Sequence, residues 1–208
     1  LTDPASGKDR VAYRFCVGLA RNRHTRGRAS LSDHIHRALK VGDAVEIEAP
    51  SGLFTLPRRS TVPVVLIANG IGITPFISYL TSLEADETTP SVTLLYGARN
   101  HSEHAFSNRI KLLRKSVPRL SVTTFYSDPR PSDIQGRDYD RRSRLDVGMI
   151  DDELIAQGAR FYLCGSDAMI EDVEEALSRR GVAKFDIFTE AFVSPVIGHN
   201  KSLQPRRI

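Results

Sequence analysis

Apolar residues recur along this chain with two different rhythms. Over Val11–Ala20 they alternate, with Val11, Tyr13, Phe15, Val17 and Leu19 on one side and Arg14, Cys16 and Gly18 among the others. Ala44–Ala49 repeats the alternation, with Val45 and Ile47 facing one way and Glu46 and Glu48 the other. A period of two predicts half-buried strands. An arginine-rich loop (21–28) and a helical stretch, Ser32–Leu39, lie between them. Two such strands cannot bury a core alone, so this region is expected to be part of an antiparallel barrel.

From Val62 the pattern changes. Val62–Ala68 is almost continuously apolar, as in a parallel strand covered on both faces. Strands are predicted next at Val92–Ala98, Leu120–Tyr126, Phe161–Cys164 and Phe185–Thr189. Helices are predicted at Pro75–Leu83, Glu103–Leu113, Asp151–Ala156 and Asp167–Arg180. The first three strands start about 29 residues apart, the length of a βαβ unit. A polar loop from Asp128 to Arg144 interrupts the rhythm. Five strands alternating with helices predict an α/β fold with a doubly wound parallel sheet, preceded by part of the barrel.

Composition narrows the function classes. The chain has 208 residues, 40% hydrophobic and 26% charged, which excludes collagen-like and low-complexity sequences. No apolar run approaches the ~18 residues of a membrane helix. A net charge of +4 is too small to argue for nucleic acid, and neither nucleic acid nor membrane is an expected partner. Two cysteines make no disulfide framework and favour a cytoplasmic home. The six histidines show no zinc-like spacing, so no metal site is expected.

Candidate chemistry gathers at strand-to-helix turns. Asn69-Gly70-Ile71-Gly72-Ile73-Thr74-Pro75 follows the first parallel strand. Its glycines permit a sharp turn and close ligand approach, Pro75 suits a first helical turn, and the helix start offers N–H groups to a phosphate. The motif departs from G-x-G-x-x-G, because Pro75 stands where the third glycine would be. Phe161-Tyr162-Leu163-Cys164-Gly165-Ser166, then Met169, joins a later strand to its helix. Cys164 at that helix start admits a reading as a reactive thiol, beside the plainer reading as a packing residue.

Taken in order, G-I-G-I-T-P, Leu95-Tyr96-Gly97-Ala98-Arg99-Asn100, Y-L-C-G-S-x-x-M and Glu190-Ala191-Phe192 resemble the NAD(P)H-binding half of the ferredoxin–NADP reductase family. That family includes oxygenase reductases and flavohaemoglobins. Upstream, Val41-Gly42-Asp43 with Ala49-Pro50-Ser51-Gly52-Leu53-Phe54 is similar to its flavin barrel, and Ser32–His36 to the start of its flavin-phosphate helix. The resemblance covers residues 11–192. The Arg, Tyr and Ser of the family's R-x-Y-S flavin motif are not in this chain, and Ala29 stands where its G-x-x-S glycine is usual.

The resemblance implies three segments: a barrel part over 1–58, an NAD(P)H-binding domain over 59–192, and a linker over 193–208. It implies FAD or FMN at Ser30, Leu31 and Ser32, and NADH or NADPH along Gly70, Gly72, Thr74, Arg99, Cys164, Gly165, Ser166 and Met169. Thr74, Cys164 and Glu190 are the implied catalytic residues, with Thr74 near the reacting rings, Cys164 beside the nicotinamide, and Glu190 and Phe192 closing the flavin's far face. Ser143-Arg144-Leu145-Asp146 resembles a G-R-L/I-D step and reads as structural. Arg99 favours a 2′-phosphate and Asp128 opposes it, which tilts the expectation to NADH. Hydride would pass to flavin and single electrons to an iron–sulfur or haem acceptor, an oxygenase component included. A [2Fe-2S] centre would need a further domain. The rival reading is a degenerate, non-catalytic nucleotide-binding or protein-interaction module.

Overall fold

The computed structural model describes residues 14–18, 31–47, 52–84 and 89–192. Five strands, β1 (Val64–Asn69), β2 (Val92–Ala98), β3 (Leu120–Tyr126), β4 (Arg160–Gly165) and β5 (Ile187–Ala191), form one parallel sheet in the order β3-β2-β1-β4-β5. Register is continuous: Leu66 pairs with Leu94 and Tyr162, and Cys164 with Glu190. The central strand is apolar at every buried position because it is covered on both sides. Val64, Leu66 and Ala68 face α2 (Thr74–Leu83) and α3 (Ser107–Ser116). Val65 and Ile67 face α5 (Asp167–Arg179). Each of these valine, leucine and isoleucine side chains contributes roughly 1.5–3 kcal/mol by leaving water.

Among the described residues the remaining helices are α1 (Leu31–Arg37) and α4 (Asp152–Ala156). The amphipathic α5 is capped by Ser166, whose Oγ accepts from Met169 N–H at 3.4 Å. At its other end Arg180 donates to the carbonyls of Val147 and Ile150 at 2.5 and 2.6 Å, tying α5 to the short 3₁₀ turn Val147–Met149.

Two expectations are corrected. No strand forms in the described parts of the alternating segments, 14–18 and 44–47, and Phe15, Val45 and Ile47 are exposed. Alternation selects the face a strand would bury, but it does not by itself pair the backbone. The helix expected from Glu103 starts only at Ser107, because Phe106 sits at φ 60 and interrupts the helical run. The buried Tyr96 hydroxyl accepts the Ala105 N–H there at 3.2 Å, holding the irregular stretch to β2.

The segment ahead of the first strand reaches the sheet domain at Phe54, Leu56 and Pro57. Phe54 and Leu56 lie against its core, with the Phe54 ring 6.2 Å from Phe76 and 5.9 Å from Tyr162. The Tyr79 hydroxyl donates to Pro57 C=O at 3.0 Å.

Candidate nucleotide site

In a doubly wound sheet, ligands settle outside the carboxyl ends of the strands, where the chain order reverses. Here that reversal lies at β1, which has β2 on one side and β4 on the other. A cleft of about 430 Å³ opens there, within the ~300–1,000 Å³ range of cofactor pockets. The ends of β1, β2 and β3 and the first turns of α5 line it.

Gly70 and Gly72 do different work. Gly70 lines the cleft at φ +55, and a Cβ added there would meet nothing within 4 Å. Its carbonyl accepts from the Tyr96 hydroxyl at 3.1 Å, which anchors the turn while leaving its outer side open. Gly72 faces inward. A Cβ there would lie 2.0 Å from the Cys164 carbonyl oxygen, so the turn rests directly on the β4 backbone. Gly97 lies beneath Leu145, whose Cβ would make ordinary van der Waals contact, at 3.5 Å, with an added Cβ.

Of the residues expected at the nucleotide, Gly70, Arg99, Ser166 and Met169 share the cleft. Gly72, Cys164, Gly165, Glu190 and Phe192 form a second group at the β4–β5 end. Cys164 is opposite Glu190, and Phe192 N–H donates to Gly165 C=O at 2.8 Å. Gly165 is buried, covered by the Met169 methyl and Asn69. Thr74 is buried at the start of α2. Leu31 and Ser32 open α1, and Ser30 falls outside the described residues.

The reactive-thiol reading of Cys164 is overturned. Its side chain is fully buried, and burial, with Glu190 adding negative charge, pushes the thiol up to about 12. It is a packing residue. Glu190 and Phe192 are exposed and open to a neighbouring group.

Asn69, Gly97, Ser127, Ser143, Arg144 and Asp172 line the cleft without having been singled out for the nucleotide. The signal for Arg144 was the Ser143–Asp146 segment, read as structural. That segment is also a wall of the cleft, because Leu145 drops onto Gly97. Ser127 was legible as the residue following a parallel strand.

No group of three or more potential metal ligands occurs among the described residues. No helix among them is long and apolar enough to cross a membrane.

These features define a doubly wound dinucleotide-binding domain, with its ligand cleft at the strand switch. Residues 66–175 match the oxidoreductase NAD-binding domain family. The chain belongs to that family, as a flavohaemoglobin-like reductase module of the ferredoxin–NADP reductase type. It is 34% identical over 163 residues to a flavohemoprotein of Rhizobium meliloti, and 33% over 162 residues to one of Bordetella pertussis. Each match covers 78% of this chain, and the chain spans 40% of each relative's length. Among solved structures, it superposes with a TM-score of 0.67 on the flavohem-like FAD/NAD-binding domain of a Vibrio cholerae nitric oxide dioxygenase. That match has 29% identity over 79% of this chain and 65% of the other. An Amycolatopsis cytochrome P450 reductase gives a TM-score of 0.64 at 26% identity, covering 77% and 47% of the two chains.

Proposed function

We propose that this chain is the pyridine-nucleotide-binding part of an NAD(P)H-dependent flavoprotein reductase. The observation that carries the reading is the open, left-handed Gly70 at the strand switch, anchored by Tyr96 and bordering a cleft of cofactor size. The residues fit the dinucleotide. Gly70 brings backbone to the ligand without a side chain, Ser166 and the start of α5 offer polar groups, and the buried Met169 supplies an apolar wall.

When bound, the nicotinamide supplies hydride and the flavin accepts it, so no protein group makes or breaks a covalent bond. The chain's own work is to place and shield. Gly72 fixes the height of the turn over β4, and Thr74 starts α2 directly behind it. Cys164 and Gly165 keep the end of β4 dry and flat. Glu190 and Phe192, exposed beside them, are positioned to border the flavin. Leu31 and Ser32, at the start of α1, are proposed to meet the flavin phosphates with Ser30. The preceding residues 1–58 are proposed to belong to the barrel that carries the flavin, and 193–208 to a linker.

FAD is favoured over FMN by the named FAD/NAD-binding domain of the Vibrio cholerae neighbour. Haem is favoured over an iron–sulfur acceptor by the flavohemoprotein relatives. An oxygenase role and a cytoplasmic location belong to the same proposal. The test is an anaerobic titration of the native flavin-loaded protein with NADH and NADPH. Bleaching of the visible flavin absorbance is expected. Nucleotide binding without bleaching would replace the reductase reading with the non-catalytic module.

A further inference from the structure

One phenolic oxygen ties together two turns that leave different strands. Tyr96 lies in β2, and its side chain is fully buried. Its hydroxyl donates to Gly70 C=O at 3.1 Å, in the turn that follows β1. The same oxygen accepts the Ala105 N–H at 3.2 Å, in the stretch between β2 and α3. A phenol has one proton to give and lone pairs that receive, so the two bonds are compatible, and phenylalanine could form neither.

Both anchor points need holding. Gly70 is left-handed, at φ 55, and Ala105 is followed by the left-handed Phe106, at φ 60. A left-handed residue breaks the regular backbone ladder, so tertiary contacts have to fix both places. The chain over 100–105 is compact. Asn100 Oδ1 accepts from Ser102 N–H at 3.2 Å and from the Ser102 hydroxyl at 2.7 Å, and Ala105 N–H also donates to Glu103 C=O at 3.1 Å. A tie at Ala105 therefore reaches Arg99 and Glu103, which line the cleft together with Gly70, although Ala105 itself does not line it.

We infer that Tyr96 is a positioning residue for nucleotide binding: its hydroxyl holds the Gly70 turn and the 99–105 stretch as one unit, so both walls of the cleft are in place before the ligand arrives. This rests on the nucleotide reading above. Order established in advance is order the nucleotide does not have to impose, so the effect falls on affinity and leaves the hydride step alone. By linkage the tie also works in reverse, and bound nucleotide steadies Ala105 from a distance.

Anaerobic stopped-flow mixing of the flavin-loaded protein with NADH and with NADPH gives Kd and the limiting rate of flavin bleaching. Tyr96→Phe is expected to raise Kd about tenfold and to leave the limiting rate within about twofold of the native value. Tyr79→Phe is the matched control. It deletes another buried tyrosine's hydroxyl, bonded to Pro57 C=O away from the cleft, and its Kd should stay native. Amide hydrogen exchange with NAD+ or NADP+ present gives a readout without turnover. Nucleotide should slow exchange at Ala105 in the native protein and not in Tyr96→Phe. An Ala105 amide indifferent to bound nucleotide in the native protein would overturn the inference, whether or not the variant folds. So would a native Kd in Tyr96→Phe, or an equal rise in Tyr79→Phe. Each of these leaves the nucleotide reading standing. Binding of neither nucleotide by the native protein would overturn both.

Discussion

Gly72 and Gly70 are two residues apart and are glycine for opposite reasons. At Gly72 the constraint is space, since an added Cβ would press into backbone atoms of Cys164 and Gly165 that have no rotamer to escape with. At Gly70 the constraint is φ, and space is free. Gly72→Ala is therefore expected to cost at least ~2–3 kcal/mol and to lift the turn from β4. Gly70→Ala should cost only about 1 kcal/mol. Urea melts of the two variants check the order, and equal losses would contradict the packing argument.

His104 gives a pH signature at the same scale. Its Nδ1 lies 2.8 Å from the Tyr126 hydroxyl, and its ring rests between Tyr96 and Tyr126. Burial, assisted by the positive charge of nearby His101 and Lys111, lowers the imidazole from 6.5 to about 4. The unfolded chain takes up that proton near pH 6.5 and the fold only near 4. Between those values the unfolded state holds more protons, so stability falls as pH falls through the window. A loss of about 1–2 kcal/mol is expected between pH 7 and about pH 5. His104→Gln should flatten that part of the profile. Asp138 is held down to about 2, chiefly by Arg137 and then by the Ile134 N–H, so its loss of stabilisation falls between 3.8 and about 2, below the histidine window.

At the scale of elements, β3 is an edge, and an uncovered edge invites pairing with another chain. The polar 128–144 loop covers it. Thr124 N–H donates to Asp140 Oδ2 at 2.7 Å, Tyr126 N–H to Arg141 C=O at 2.9 Å, and Asp140 and Arg141 N–H return to Thr124 C=O. Asp140→Ala would leave a backbone N–H of β3 without its partner. A cost of about 1–3 kcal/mol is expected, with increased light scattering near the melting midpoint. An unchanged melt would show that the loop covers the edge without Asp140.

The same loop marks what the sequence could convey. Strands and helices of the sheet domain are legible to within two residues at most ends, because β1's continuous apolar run and the helical faces at Phe76, Ile110 and Val173 record two-sided burial. The position of Arg144 was not legible. It depends on Asp140 meeting Thr124 and Leu145 meeting Gly97, contacts between distant residues that no periodicity encodes. Cys164 misled in the other direction. A strand-to-helix turn suggests an exposed group, whereas its side chain points into a fully packed core.

For the molecule as a whole, the sheet domain is a packed frame with β1 buried at its centre, helices on both faces, and a switch-point cleft at the carboxyl ends of its strands. The frame sets the chemistry by aiming backbone and side chains at that cleft. The central claim is thus spatial: the nucleotide binds across the ends of β1, β2 and β3 and the start of α5. NMR mapping of backbone amide shifts in the labelled chain, titrated with NADPH, tests it most directly. Shifts concentrated at Gly70, Gly97, Arg99, Ser127, Arg144 and Ser166 are the expected result. Shifts confined to the amino ends of the strands, or none at saturating nucleotide, would contradict the account.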